Sequence, residues 1–423
     1  MTRFGIKETS AARLVRAVVL ESGDTDQMWD DYARAAWTAI AEPGDRIAGL
    51  AVSALGAAGA LEFIDNSRTA SQFVAALRNV GVEYIADRAL DETDLAKALA
   101  RWRPRQSVTV LSRAFEEAVR CGAQLLTPRS GLWPKSFDDL QLHTPHALWL
   151  RGSGDALAAL PNSIALVGAR AATGYGEQIT MEASAGLVDR GFAIVSGAAY
   201  GIDGMAHRAA LASRGLTMAF LAGGVDRFYP SGHDALLTRI TERGAVLSEL
   251  PCGEPPTKWR FLQRNRLIAA ASAATIVMEA GWRSGSLNTA GHASALGRPL
   301  GAVPGPITSA ASAGCHRLIR EFDAVCVTTT DEMAELVPHN PLRPTLTEAT
   351  DAPLPLGKPG RLERGDRPAA HVRVLDALST RSPRSSTDVA ARAGMSLASV
   401  QSVLGMLELE GIVVERETGW VSG

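Results

Sequence analysis

The sequence predicts an α/β protein: a doubly wound parallel sheet, preceded by a helical bundle and followed by a winged helix. Three observations carry this. Between residues 163 and 327, seven short apolar runs recur, each followed by a Gly or polar turn and a segment of helical spacing. Near-continuous apolar strands separated by helices are covered on both faces, as in a parallel sheet. Residues 1–115 instead repeat Ala and Leu at helical spacing, and the last 55 residues read as three helices and a hairpin, the order of a winged helix-turn-helix. A chain of 423 residues is too long for one core and should divide into domains.

Taken in order, "WDDYARAAWTAIAEPGDRIAGLAVSALGAAGALEFI" and "DETDLAKALARW" give the helices of an N-terminal bundle over residues 1–115, with turns at "EPGD" (42–45) and "NVGVE" (79–83). The α/β core is expected over residues 116–337. Its predicted strands are "SIALVG" (163–168), "FAIVSG" (192–197), "TMAFLAGG" (217–224), "AVLSEL" (245–250), "ATIVMEA" (274–280), "PLGAVPG" (299–305) and "AVCV" (324–327). Sheets of this kind take ligands at the carboxyl ends of their strands. Residues 338–368 are Pro-rich, polar and aperiodic, which predicts a semi-extended linker. Residues 369–423 hold helices at 369–379, 386–393 and 396–410 around the turn "AGMS", then the hairpin "GIVVERETGWV".

A formal charge of −2 excludes a protein coated with cations, so any anion site must be a local patch. The four cysteines, Cys121, Cys252, Cys315 and Cys326, have neither CxxC nor zinc-like spacing, which fits a reduced cytoplasmic chain without a metal. The N-terminus lacks the apolar core of a signal peptide, and no run of about 18 uninterrupted apolar residues occurs, so neither export nor a membrane span is expected.

Four clusters can carry chemistry. "KWRFLQRNR" (258–266) has four cations in nine positions, no acid, and Trp259 and Phe261 between the charges. That pattern suits single-stranded nucleic acid, where cations track phosphates and rings stack on unpaired bases. It equally suits a helix with a buried inner face, with Arg264 or Arg266 as a strut to carbonyls or to Glu249 or Glu279. "VGARAATGYGEQ" sets Gly168, Gly174 and Gly176 at a strand-to-helix turn beside Arg170. The spacing is not GxGxxG, leaving either a general backbone anion site or a plain tight turn. "VSGAAYGIDGMAHRAAL" puts Ser196 and Gly197 at a strand end, then Asp203 and His207 four apart on a helix. No nucleophile or metal ligand accompanies that pair, so a helix-stabilising contact is expected rather than acid/base catalysis. "IVMEAGWRSGSLNTAGHA" ends a strand with Glu279 and opens a helix with Arg283, Ser284, Gly285, Ser286 and Thr289, an oxyanion nest in which Ser286 or Thr289 can instead serve as the cap.

Together "VGARAATGYG", "VSGAAYGIDGMAHRAAL", "GGVDRFYP", "FLQRNRLIAAAS" and "EAGWRSGSLNTAGHASALGRPLGAVPG" resemble, in order and spacing over residues 125–337, the DNA-processing protein A (DprA or Smf) family. The flanking pieces resemble its long form, with an N-terminal sterile-alpha-motif-like bundle and a C-terminal winged helix. The resemblance implies an extended Rossmann-like core that forms a homodimer, binds single-stranded DNA in a basic pocket and helps load RecA recombinase onto incoming DNA in natural transformation. It implies no enzymatic activity and no cofactor. By motif, Arg170 is the leading phosphate contact, with Ser196, Gly197, Arg283, Ser284, Gly285 and Ser286 lining the same groove. Lys258, Arg264 and Arg266 of the basic stretch complete the expected set. Tyr200 and Ser231 stand where the family is commonly basic, and Tyr200 can replace charge by base stacking. Leu262 stands where Pro is usual, which should change the local turn.

Two rivals are weighed against this. The LOG phosphoribohydrolases share the fold class, but their "PGGxGTxxE" turn corresponds here to "EAGWRSGSLNTA", without the paired glycines or the trailing Glu. The winged helix as a duplex reader is disfavoured by charge. Residues 369–423 contain five Arg and no Lys against six acids, and "SLASVQSVLGMLELEG" carries no cation for phosphates or base edges. That module is therefore expected to contact protein or to serve structurally.

Overall fold

The computed structural model describes residues 1–337 except 22, 66, 67, 83, 86, 87 and 90, and residues 371–422 except 372, 373, 376, 380, 381, 394, 396 and 417. The expected linker lies outside the described residues. The chain divides into two compact units, residues 1–344 and 345–423.

The first unit opens with a small hairpin of β1 (Thr2–Arg3) and β2 (Ile6–Lys7). Helices α1 (Glu8–Arg16), α2 (Thr25–Ile40), α3 (Arg46–Asp65) and α4 (Ala70–Asn79) follow, then the ladder of β3 (Tyr84–Ile85) and β4 (Arg88–Ala89), and helices α5 (Glu92–Trp102) and α6 (Val108–Cys121). Side-chain oxygens of Asp24, Thr69, Asp91 and Ser107 take a first-turn N–H of α2, α4, α5 and α6, fixing where each helix starts. Gly122, left-handed at φ 69°, ends α6.

Helix α3 bears on the expectation that no segment spans a membrane. Arg46–Ile64 is long and apolar enough, by length and composition, to cross a membrane; Ser53 and Glu62 interrupt the apolar run that the sequence reading required. In the structure half of this stretch is buried, Ala48, Ala51, Ala57, Ala60 and Leu61 among it, and Gly56 at φ 73° breaks the helix.

A mixed sheet follows. Its strands are β5 (Ala123–Leu126), β6 (Leu148–Gly152), β7 (Ser163–Gly168), β8 (Ala193–Ser196), β9 (Thr217–Phe220), β10 (Ala245–Ser248), β11 (Ala274–Glu279), β12 (Leu300–Ala302) and β13 (Val325–Cys326). Their order is β13-β12-β11-β7-β8-β9-β10-β6-β5. All seven predicted strands form and pair in parallel. β5 and β6 were not predicted; they pair antiparallel at one edge, and their short runs lack the following helix that marked the others.

The helices between strands are α7 (Gly174–Asp189), α8 (Ile202–Ala212), α9 (Asp234–Arg243), α10 (Lys258–Ala271), α11 (Ser286–Ala295) and α12 (Ala313–Glu321), and α13 (Thr330–Glu335) follows the last strand. Leu262 lies inside α10, so no separate turn forms there. The helical bundle and the sheet share a core: Tyr32, Trp37 and Phe115 join Trp149 of β6, Val246 of β10 and Ile240 of α9 in one apolar cluster. Trp37 meets Trp102 edge-on at 5.1 Å, and Phe115 meets Trp149 at 5.6 Å.

From β7 the chain steps outward through β8, β9 and β10, then returns to place β11 on the other side of β7. The loops leaving β7 and β11 therefore part in opposite directions, opening a crevice at their carboxyl ends.

In the second unit α14 (Ser386–Ala393) and α15 (Leu397–Leu409) precede the hairpin of β14 (Val413–Arg416) and β15 (Gly419–Ser422). Val374, Val389, Val400, Leu404 and Leu407 are buried together, as expected of a winged helix.

Candidate nucleic-acid interface

A cavity of about 890 Å³ occupies the crevice between the β7 and β11 loops. Gly168 and Arg170 line it from the β7–α7 loop, Lys258, Phe261, Leu262, Arg264 and Asn265 from α10, and Arg283, Ser284, Gly285, Ser286 and Thr289 from the β11–α11 loop. The start of α10 lines this space, and Thr257 fixes where the helix begins, its Oγ1 accepting the Arg260 N–H at 3.3 Å.

Arg170, Lys258 and Arg283 are exposed and form no ion pair among the described residues, so their charge is available to an incoming anion. The Arg170 guanidinium sits 4.7 Å from the centre of the Phe261 ring. Cation–π attraction holds it over that ring while leaving its N–H groups free for phosphate. Tyr229, half exposed and also lining the cavity, stands 5.7 Å from Phe261 at 55°. The result is a cationic rim beside an aromatic ledge.

Arg264 forms the floor. It is 5% exposed, and its Nη1 donates to the Gly197 carbonyl at 2.6 Å and to the Phe220 carbonyl. Burial pulls its pKa down to about 10, and the Asp203 charge opposes that pull. Asp203 accepts from the Gly197 and Ala199 N–H groups at 3.2 and 3.4 Å; burial raises its pKa, and Arg264 with these N–H groups counters the rise. Gly197 is thus gripped on both sides, and a Cβ there would run into the Arg264 guanidinium. Ser196 is fully buried and donates to the Leu166 carbonyl at 2.7 Å. Ser196 and Gly197 therefore brace the cavity from below and do not line it. The expected Asp203–His207 contact is also not made. His207 Nδ1 lies 2.6 Å from Thr217 Oγ1, and burial lowers its pKa to about 3, keeping it neutral.

Most of the charge in the basic stretch is internal. Arg266 is 2% exposed. Its Nη2 meets both Glu249 oxygens at 2.8 and 2.7 Å, while Nε and Nη1 donate to the His143 and Gln263 carbonyls. That is the strut alternative, and it takes Arg266 out of the groove. Arg260 pairs with Glu42 at 2.9 Å and with Glu254 at 2.7 Å, tying α10 to the turn between α2 and α3. Of the four cations, Lys258 alone is exposed.

The Gly-rich loop carries a second surprise. Glu279, 3% exposed, accepts from Thr173 N and Oγ1 at 2.8 and 2.6 Å, just ahead of α7. A Cβ at Gly176 would lie 2.5 Å from its Oε2. The anion that the α7 N-terminus favours is thus supplied from within, and Gly176 makes room for this internal cap, whereas a Cβ at Gly174 would meet nothing. At α11, neither Ser286 nor Thr289 caps the helix. Gly285 holds the N-cap position, and the Ser284 and Ser286 hydroxyls bond each other at 2.7 Å. Tyr200 is half exposed, edge-on to His233 at 4.9 Å, beyond the cavity wall at Ala199. Tyr229 and Asn265 were missed by the sequence reading. Tyr229 lay in the quoted "GGVDRFYP", whose Gly-rich turn with an aromatic was the available signal. Asn265 donates to the Gly285 carbonyl and to Asn288 Oδ1, joining α10 to α11.

Residues 124–338 match the family model described as DNA recombination-mediator protein A, and residues 359–419 match the DprA winged helix domain. The chain is 41% identical to a putative DNA processing protein DprA of Mycobacterium tuberculosis, over 83% of this chain and 90% of that protein. It is 41% identical to protein Smf of Escherichia coli over 45% of this chain and 50% of that one. Its structure resembles the X-ray structure of DprA from Streptococcus pneumoniae with a TM-score of 0.55 and 27% identity, covering 72% of this chain and 97% of that chain.

Proposed function

This chain belongs to the DprA/Smf family of DNA-processing proteins, and on that premise we propose that it binds single-stranded DNA in the cavity between the β7 and β11 loops and acts as a recombination mediator. One observation carries the reading: three exposed cations with no ion pair among the described residues line one open crevice together with an aromatic ledge. Arg170, Lys258 and Arg283 take phosphates, helped by the backbone at Gly168 and Gly285 and the hydroxyls of Ser284 and Ser286. Phe261 and Tyr229 offer faces to bases, with Tyr200 further out. Unpaired bases gain from such stacking and bases already stacked in a duplex do not, so the ledge favours single strands.

The proposed role extends to loading RecA recombinase onto the bound strand in natural transformation or recombination, with a homodimer through the core, in the cytoplasm, and without a catalytic step or cofactor. The winged helix serves protein contact in this scheme, given its five Arg against six acids.

The test is fluorescence anisotropy of labelled single-stranded and duplex oligonucleotides at several salt concentrations. Tighter binding of the single strand, with a steep log–log salt dependence that falls in Arg170→Ala, is expected. Equal affinity for both forms refutes the ledge. Release of a free base from a nucleoside monophosphate would revive the phosphoribohydrolase alternative.

A further inference from the structure

Two thiols distant in sequence meet where the helical bundle joins the sheet. Cys121 ends α6, just ahead of Ala123, which pairs with Arg151 of β6. Arg151 reaches the Val225 carbonyl at 3.5 Å in the loop after β9. Cys252, in the loop between β10 and α10, backs onto that same turn. A Cβ at Gly224 would lie 3.0 Å from the Cys252 Cα, and the neighbouring Gly253 N–H donates to Asp226 Oδ1 at 2.9 Å. The Cys252 thiol is there the hydrogen-bond partner of the Cys121 sulfur, and no bond joins the two. Cys252 is 4% exposed within the apolar cluster shared by bundle and sheet, and Cys121 packs half-buried against that cluster.

Their surroundings make the two thiols unlike. The Cys252 thiol, with the Ala123 N–H and the Arg151 guanidinium, stabilises charge on Cys121 and draws its pKa down to about 7, against burial and the Asp226 carboxylate. Donation to that sulfur, together with burial, pushes Cys252 up and keeps it protonated. One partner therefore takes the nucleophilic thiolate form near neutral pH. Of the other cysteines, Cys315 is fully buried, which pushes its pKa up to about 12. Cys326 lies on β13, at the opposite edge of the sheet from β5.

We propose that Cys121 and Cys252 are a peroxide-oxidised pair, forming a disulfide that clasps α6 to the loop entering α10. The Cys121 thiolate attacks one peroxide oxygen; an S–O bond forms, the O–O bond breaks and hydroxide leaves, making Cys121 a sulfenic acid. The Cys252 sulfur then displaces that oxygen, which departs with the Cys252 proton as water, and an S–S bond remains. The hydroxide takes up the proton Cys121 had released, so two thiols give two electrons to one peroxide and two waters result. Disulfides of reduced compartments are characteristically transient and redox-sensing. At pH 7 the thiolate fraction of Cys121 exceeds that of an unperturbed cysteine roughly fifteenfold, and the weaker nucleophilicity of a low-pKa sulfur reduces the gain in rate to about threefold. No residue assigned to DNA belongs to the pair, so this site stands apart from the DNA reading.

The experiment treats the full chain with hydrogen peroxide, then counts free thiols after denaturation and maps linked peptides by mass spectrometry without reductant. Two of the four thiols should be lost, the peptides of Cys121 and Cys252 should be joined, and dithiothreitol should restore both. The rate of loss should rise as the pH passes about 7. Cys252→Ser, lacking the second thiol, should leave Cys121 as a sulfenic acid trapped by dimedone, and Cys121→Ser should leave Cys252 a free thiol at the same dose. The proposal is overturned if the unaltered chain keeps all four thiols, if the linked peptides carry Cys315 or Cys326 in place of this pair, or if Cys252 is oxidised as fast in Cys121→Ser as in the unaltered chain.

Discussion

Arg264 and Arg170 lie on the same cavity 5.7 and 4.7 Å from the same Phe261 ring, and replacing each should have opposite consequences. Arg264→Met removes donors from the Gly197 and Phe220 carbonyls and leaves the buried Asp203 carboxyl without its cation. Breaking one side of a buried charge pair costs about 3–5 kcal/mol, and Arg264 is too buried for solvent to screen that loss. In a unit of this size, residues 1–344, such a loss lowers the melting temperature by roughly 4–7 °C. Arg170→Ala removes an exposed charge that forms no ion pair among the described residues and only a cation–π contact with Phe261, so melting should fall by no more than about 1 °C, while the log–log salt slope for single-stranded DNA should fall by about 0.7. Calorimetric melting and anisotropy on both variants test the pair. Asp203→Asn added to Arg264→Met removes the orphan charge and should recover part of the lost stability, by about 1 kcal/mol or more. An Arg264→Met variant that melts like the unaltered protein yet binds DNA poorly would refute the strut assignment and make Arg264 a ligand contact.

Three further outcomes are expected. Burial holds His146 and His207 near pKa 3, below their ordinary value. The folded state therefore stays neutral while the unfolded chain takes up protons below its ordinary His pKa. Stability should fall as pH drops from there toward 3, by roughly 1.4 kcal/mol per pH unit per His, and a His207→Gln chain should show a shallower slope in urea titrations between pH 6 and 4. Gly176→Ala drives a Cβ against Glu279 and should destabilise by about 1–3 kcal/mol as the buried carboxylate loses Thr173; unchanged melting would count against the internal cap. Tyr229→Ala should cost about 1–3 kcal/mol of affinity for single-stranded oligothymidine through lost stacking, and an equal loss on duplex would show that the ring does not read unpaired bases.

The strands of the core were legible because a doubly covered sheet needs nearly unbroken apolar runs, and "SIALVG", "AVLSEL" and "ATIVMEA" are such runs. The winged helix was legible for a similar reason, its periods and turns being local. β5 and β6 were not, since antiparallel edge strands of four and five residues with irregular connections leave no periodic trace. The apolar length of α3 was masked by two polar residues.

The chain's amino acids by themselves determined the βα alternation and the motifs at the strand ends, because these depend on hydrophobic period and turn chemistry within a few residues, whereas the strand order and the place where the sheet reverses came from pairing between distant segments. Tertiary structure alone decided what each charge does. Arg260 finds Glu42 across 218 positions, and Glu279 finds Thr173 across 106. A guanidinium sealed against a carboxylate and one open to phosphate are written with the same letter, and only burial, which depends on packing between distant segments, separates them.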